Sequence, residues 1–173
     1  MKKLSISLAV MGITSLGFAQ NSYPKLNKAL SEGLGTLTSN YGYLNEVQNG
    51  LTPKHVKYLE NIASYWDVAK LEEFDRLKDQ PLEVTFRSGL GSIVASYDSD
   101  GKIVTATERF KNVSLPKQLQ IAIVKQYPHW SIVKIRYTLR YTEGKEPKKQ
   151  FKVKIKKENQ KKWVKVDSVG RIS

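Results

Sequence analysis

The stretch "SIVKIRYTLRYT" constrains the fold more than any other. Val133, Ile135, Tyr137, Leu139 and Tyr141 alternate with Lys134, Arg136, Thr138 and Arg140. A period of two over that length is a strand with one buried and one wet face, so the chain must build a sheet and something apolar must cover it. "PLEVTFR", "SIVASY", "KIVTATERF", "QFKVKIK" and "KKWVKVD" alternate less strictly and supply the partners.

Ahead of these strands the period is that of a helix. Val56, Leu59, Ile62, Ala63 and Trp66 recur at three and four, as do Leu119, Ala122, Ile123 and Tyr127. Pro53 and Pro116 are expected in the first turns, with Thr52 and Ser114 as caps, and Pro128 stops the second helix. The sequence therefore predicts an α+β fold, with helices packed on one face of an antiparallel sheet.

That pattern occurs twice. "LTPKHVKYLENIASYWDVAK" is answered by "LPKQLQIAIVKQYPHWSIVK", and "YDSDGKI" by "VDSVGRI". Two tandem helix-plus-sheet units are expected, over 51–110 and 111–173. Residues 20–50 read as an extension with a short helix or loop.

"SYDSDGKIVTATE" sets Ser96, Asp98, Asp100 and Gly101 in the order of a calcium loop. The twelfth position holds Thr107, however, and both flanks alternate like strands rather than helices. The expected structure is a hairpin with Gly101 left-handed. In the second copy Asp167 and Gly170 persist while Val169 replaces the second aspartate, so Asp98, Gly101, Asp167 and Gly170 are read as turn residues and no metal is assigned.

"MKK" followed by "LSISLAVMGITSLGF" resembles the charged and apolar parts of a secretory signal, with Gly17 and Ala19 before a cut at Gln20. Residues 1–19 are expected to leave on export to the periplasm or the outside. The run is too diluted to span a membrane, which takes about 20 apolar residues, and no later stretch approaches that length. The sequence has no cysteine, which excludes thiol catalysis, Cys-based zinc sites and disulfides; packing alone must hold an exported fold.

The formal charge of +13 is unevenly spread. Residues 51–110 hold 8 Lys and Arg against 10 Asp and Glu, whereas 111–173 hold 17 against 4. On the alternating strands Lys134, Arg136 and Arg140 share one wet face, and Lys152, Lys154 and Lys156 another. If the strands are neighbours, these six form a basic face for an anionic envelope component or an acidic protein. Export and the lack of an aromatic stacking motif interleaved among the lysines argue against nucleic acid.

The stretch 92–173, with "YDSDGKIVTATERF", "LPKQLQIAIVKQYPHWSIVK", "FKVKIKK" and "VKVDSVGRI", resembles the PepSY-like proteins, a group similar in fold to the β-lactamase inhibitory protein. The resemblance implies a small exported bacterial α+β protein, often of tandem units, and carries no catalytic residue. It leaves open an inhibitory or chaperone-like role toward a secreted protein. Some similar chains bear the name of a nicotinate-nucleotide adenylyltransferase. That chemistry needs a paired-histidine phosphate motif, and neither His55 nor His129 lies in one. Glu72, Glu73 and Asp75 are the acids a small enzyme of the first half would use, but such carboxylates ordinarily face water. The expectation is a non-enzymatic binding module without a cofactor.

Overall fold

The computed structural model describes residues 6–9, 40–71, 74 and 80–173. The expected cleavage site and most of the 20–50 extension lie outside them, as do Glu72, Glu73 and Asp75. In chain order the elements are β1 (Ile6–Ala9), α1 (Tyr41–Val47), α2 (Lys54–Tyr65), a 3-10 turn (Val68–Lys70), β2 (Leu82–Ser88), β3 (Gly91–Tyr97), β4 (Ile103–Lys111), α3 (Lys117–Gln126), β5 (Ser131–Thr142), β6 (Lys145–Lys157) and β7 (Gln160–Asp167).

The strands form one sheet in sequence order. β2 to β7 are antiparallel throughout, and β1 is added parallel to β2 with Ile6 opposite Val84 and Ala9 opposite Arg87. The fold is α+β, as the change of period predicts. Each of the two longer helices precedes three consecutive strands, and all six strands belong to one sheet. Seven residue pairs join β4 to β5, from Thr105 with Thr142 to Lys111 with Arg136.

Alternation decides which face is covered. Val84, Ala95, Ala106 and Tyr141 lie side by side across β2 to β5, and Phe110, Tyr137, Phe151 and Val166 across β4 to β7; all eight are buried. Onto this face α1 brings Tyr43, Leu44 and Val47, α2 brings Val56, Leu59 and Ala63, and α3 brings Leu119 and Ile123. Edge-on aromatic pairs, Tyr43 on Tyr141 and Trp66 on Phe86, lock helices to strands. The Tyr97 hydroxyl donates to the Ala63 carbonyl at 2.8 Å near the end of α2.

The helix starts differ from expectation. Pro53 and Pro116 are themselves the capping residues, in extended conformation (φ −62° and −55°), and no side chain caps either helix. A proline one residue earlier still presets the chain for the first turn. Thr52 instead ties down the loop after α1, where its hydroxyl donates to the Val47 carbonyl and accepts from the Asn49 amide.

The two Asp–Gly turns have the same hydrogen bonds. Asp98 Oδ1 accepts from the amides of Asp100 (3.0 Å) and Lys102 (2.8 Å), and Asp167 Oδ1 from those of Val169 (3.0 Å) and Arg171 (2.9 Å). Gly101 and Gly170 take φ +75° and +85°, a region L side chains avoid. The carboxylate closes the loop on the backbone, which is why the first aspartate recurs and the second does not. The first turn joins β3 to β4, whereas the second follows β7 and returns residues 171–173 along its outer edge, with Lys165 and Ser173 exchanging backbone bonds.

Candidate functional site

The face turned away from the helices is built by the other parity of the same strands. In register across β4 to β7 stand Lys111, Arg136, Lys152 and Lys165, one cation per strand and no acid among them. Beside this row Lys134, Lys154 and Trp163 lie opposite one another on β5, β6 and β7. On the other side Arg87, Ser92, Arg109, Thr138, Gln150 and Asp167 run across all six antiparallel strands, and beyond them Arg140 faces Lys148.

The six cations expected from the sequence are thus brought onto one face, because β5 and β6 are direct neighbours. Lys134 is opposite Lys154, Arg136 opposite Lys152, and Lys156 opposite Ser131. Arg140 sits beyond the Thr138–Gln150 pair. Sequence reasoning missed Arg87, Arg109, Lys111, Lys148 and Lys165, which join the same face, and Trp163. Their parity was readable in each strand, but the register that aligns them was not.

Trp163 is 40% exposed and organises its surroundings. The Arg136 guanidinium lies 4.8 Å from its ring centroid and the Lys154 ammonium 5.8 Å. Such stacking fixes a guanidinium while leaving its N–H edge free for an oxyanion. Arg136, Lys152, Trp163, Lys165 and Ser173 border a recess of about 400 Å³. A longer open trough of about 790 Å³ runs over β2 to β6, past Arg87, Arg109, Arg136, Arg140, Lys148 and Lys152. Asp167, the carboxylate that reaches these rows, is held by Arg171 at 2.7 Å. Among the described residues no cation of these rows is in a salt bridge.

On the helix side the structure holds a second polar feature. Glu60 on α2 and Glu108 on β4 are both fully buried. Glu108 sits in register between Ile93 and Leu139, with Lys149 next along the row, and accepts from the Tyr43 hydroxyl at 2.8 Å. Its second oxygen and both oxygens of Glu60 lack a donor among the described residues. A proton on Glu60 supplies one, with Glu108 as acceptor. Burial first, and the neighbouring Glu108 charge second, push Glu60 up to about 9. Burial raises Glu108 to about 7, against the hydrogen bonds from Tyr43 and Glu60 and the charge of Lys149. Burial in turn lowers Lys149, which the two carboxyls oppose.

Glu60 and Glu108 went unnoticed in the sequence although a signal exists. Glu60 falls on the apolar stripe of α2 four residues after Val56, and Glu108 takes the inward parity between Ala106 and Phe110. Charges in core phase mark buried titratable groups. His55 lies at the start of α2 and His129 in the turn before β5, where it has φ 66°. Among the described residues no three His, Asp or Glu side chains gather to hold a metal. None of the described helices is long and apolar enough to cross a membrane.

No family model, no curated protein and no solved structure matches the chain.

Proposed function

We propose that the chain is an exported, non-enzymatic binding module of the PepSY-like kind, which contacts an anionic envelope component or an acidic protein through the basic face of its sheet. The observation that carries this is the register that sets Lys111, Arg136, Lys152 and Lys165 in one row on the face turned away from the described helices. Like charges directly opposite on neighbouring strands destabilise a sheet. A face that keeps four in line gives up stability for a field that attracts anions. The signal-like N-terminus supports export.

A small enzyme would use convergent carboxyls of raised pKa, and Glu60 and Glu108 have that character. A general acid or base must reach its substrate, however, and these two are sealed between α2 and the sheet. They serve packing and proton binding rather than turnover.

The test is capture from envelope extracts by the protein and by a variant with Lys134, Arg136, Arg140, Lys152, Lys154 and Lys156 all changed to Gln. The variant should fold and lose its partner, and the unmodified protein should release it on moving from low to moderate salt. Equal retention by both proteins would sink the reading.

A further inference from the structure

We infer that the basic face binds a carboxylated polysaccharide, laid across the strands along Lys111, Arg136, Lys152 and Lys165 with a sugar ring supported at Trp163. This rests on the reading of that face as the contact surface and names what it contacts.

Spacing is the first argument. Neighbouring strands are about 4.8 Å apart, so the row offers one cation per step over a span of about 14 Å. An extended acidic peptide presents side chains on one face only every second residue, about 6.8 Å, and falls out of step with the row. One pyranose residue has about the length of one strand spacing, so a polymer with one carboxylate per sugar matches the row in charge spacing along its axis, and rotation about the glycosidic bonds turns successive carboxylates to the protein.

The chemistry around the row is the second. A bare polyphosphate needs only cations, but this trough also presents Ser92, Thr107, Thr138 and Gln150, neutral groups that exchange hydrogen bonds with hydroxyls. The row ends at the recess beside Trp163, whose ring offers an apolar surface to the C–H face of a sugar while the stacked Arg136 takes a carboxylate in its fork. Anions, hydroxyls and a flat C–H face on one linear polymer describe an acidic glycan.

Charge balance is the third. A carboxylate between each pair of cations turns repulsion across the row into attraction, so binding relieves a cost the free protein carries.

Oligogalacturonates of two to eight residues, polyphosphate and polyglutamate are titrated calorimetrically into the full chain at low salt. Affinity for oligogalacturonate should rise steeply to about four residues, one for each cation in the row, and then level. Trp163→Ala should weaken it at least tenfold while weakening polyphosphate less than threefold, and Trp163→Phe should recover most of the loss. Equal affinity for all three polymers, or an equal loss of all three in Trp163→Ala, removes the glycan inference and leaves the basic-face reading standing. Binding of none of the three at low salt removes both.

Discussion

The buried carboxyl pair makes stability fall as pH rises, against the usual behaviour of acidic groups. Glu60 and Glu108 have folded pKa values above the ordinary 4.5, so the fold holds protons that the unfolded chain has released. Their stabilising contribution is complete below pH 4.5 and is lost as pH climbs through about 7 for Glu108 and about 9 for Glu60. Once the unfolded carboxyls have ionised both folded protons are at stake, so unfolding free energy drops by about 3 kcal/mol per pH unit, and by about half of that after the pair has lost its first proton. Against a total of about 5–15 kcal/mol for a domain this is decisive. The groups facing the pair are Tyr43 from α1, Tyr137 from β5 and Lys149 from β6. Burial raises both tyrosines, which keeps them neutral, and lowers Lys149 against the charges of the two carboxyls.

Urea midpoints at pH 5, 6, 7 and 8 and constant ionic strength read this directly. The unmodified protein should lose stability steadily over that range. Glu60→Gln keeps a donor for Glu108 and removes one titration, so its slope should be halved below pH 7 and vanish well above it. Glu60→Gln with Glu108→Gln should show only the background, in which a chain of formal charge +13 gains further positive charge and weakens in acid. A midpoint that is flat or rises from pH 6 to 8 in the unmodified protein, or an unchanged slope in Glu60→Gln, would refute the assignment.

Three further outcomes are expected. Lys152→Glu puts an anion between Arg136 and Lys165, so it should raise Tm by about 2–4 °C, corresponding to about 1 kcal/mol, while abolishing polyanion binding; a fall in Tm in calorimetry would count against a repulsive row. Gly91→Ala drives a Cβ to 2.3 Å from the Arg109 carbonyl and 2.6 Å from the Phe110 ring, which should cost about 3 kcal/mol or more in urea unfolding. Gly101→Ala and Gly170→Ala should each cost about 1–2 kcal/mol, because both turns need a left-handed residue; a loss confined to one of them would mean that the shared hydrogen bonds do not contribute equally.

Strand and helix positions were legible because each depends on neighbours in the chain. "IVKIRYTLRY" shows its two faces within ten residues, and β5 follows it from Ile135 to Tyr141, whereas Val133, expected on the buried face, is exposed at the irregularity beside Ile132. What pairs across the sheet was not legible, since register depends on irregularities that no alternation announces. One lies at Ser96/Tyr97, others at Ile132/Lys134 and Arg140/Thr142. The β4–β5 and β6–β7 pairings carry no such irregularity, yet it is their register that brings Lys111 to Arg136 and Lys165 to Lys152. Glu60 and Glu108 were each visible as charges in core phase, but they are far apart in the chain and only the docking of α2 on β4 makes them a pair. The prolines were misplaced by one residue because Pro serves equally well just before a helix and in its first turn.

Solubility is the competing account of the basic face, and the position of the cations weighs against it. Lysines that prevent sheet-to-sheet association belong on edge strands, where unpaired backbone groups invite a partner. Here β2, which becomes an outer strand once residues 1–19 leave on the proposed export, brings a single cation, Arg87, to the rows, and the outer edge of β7 is covered by residues 171–173. The charge is greatest on β5 and β6, which are hydrogen-bonded on both sides and have no edge to defend: Lys134, Arg136 and Arg140 on one, Lys148, Lys152, Lys154 and Lys156 on the other. The reverse faces of these two strands carry Tyr137, Leu139, Phe151, Val153 and Ile155, all buried, and the Tyr137–Phe151 rings pack at 5.1 Å. Repulsion on one face is thus set against a stretch of five buried side chains on the other. That is where a sheet can keep a strong local field without coming apart, and an anion drawn to it meets the cations of four neighbouring strands at once.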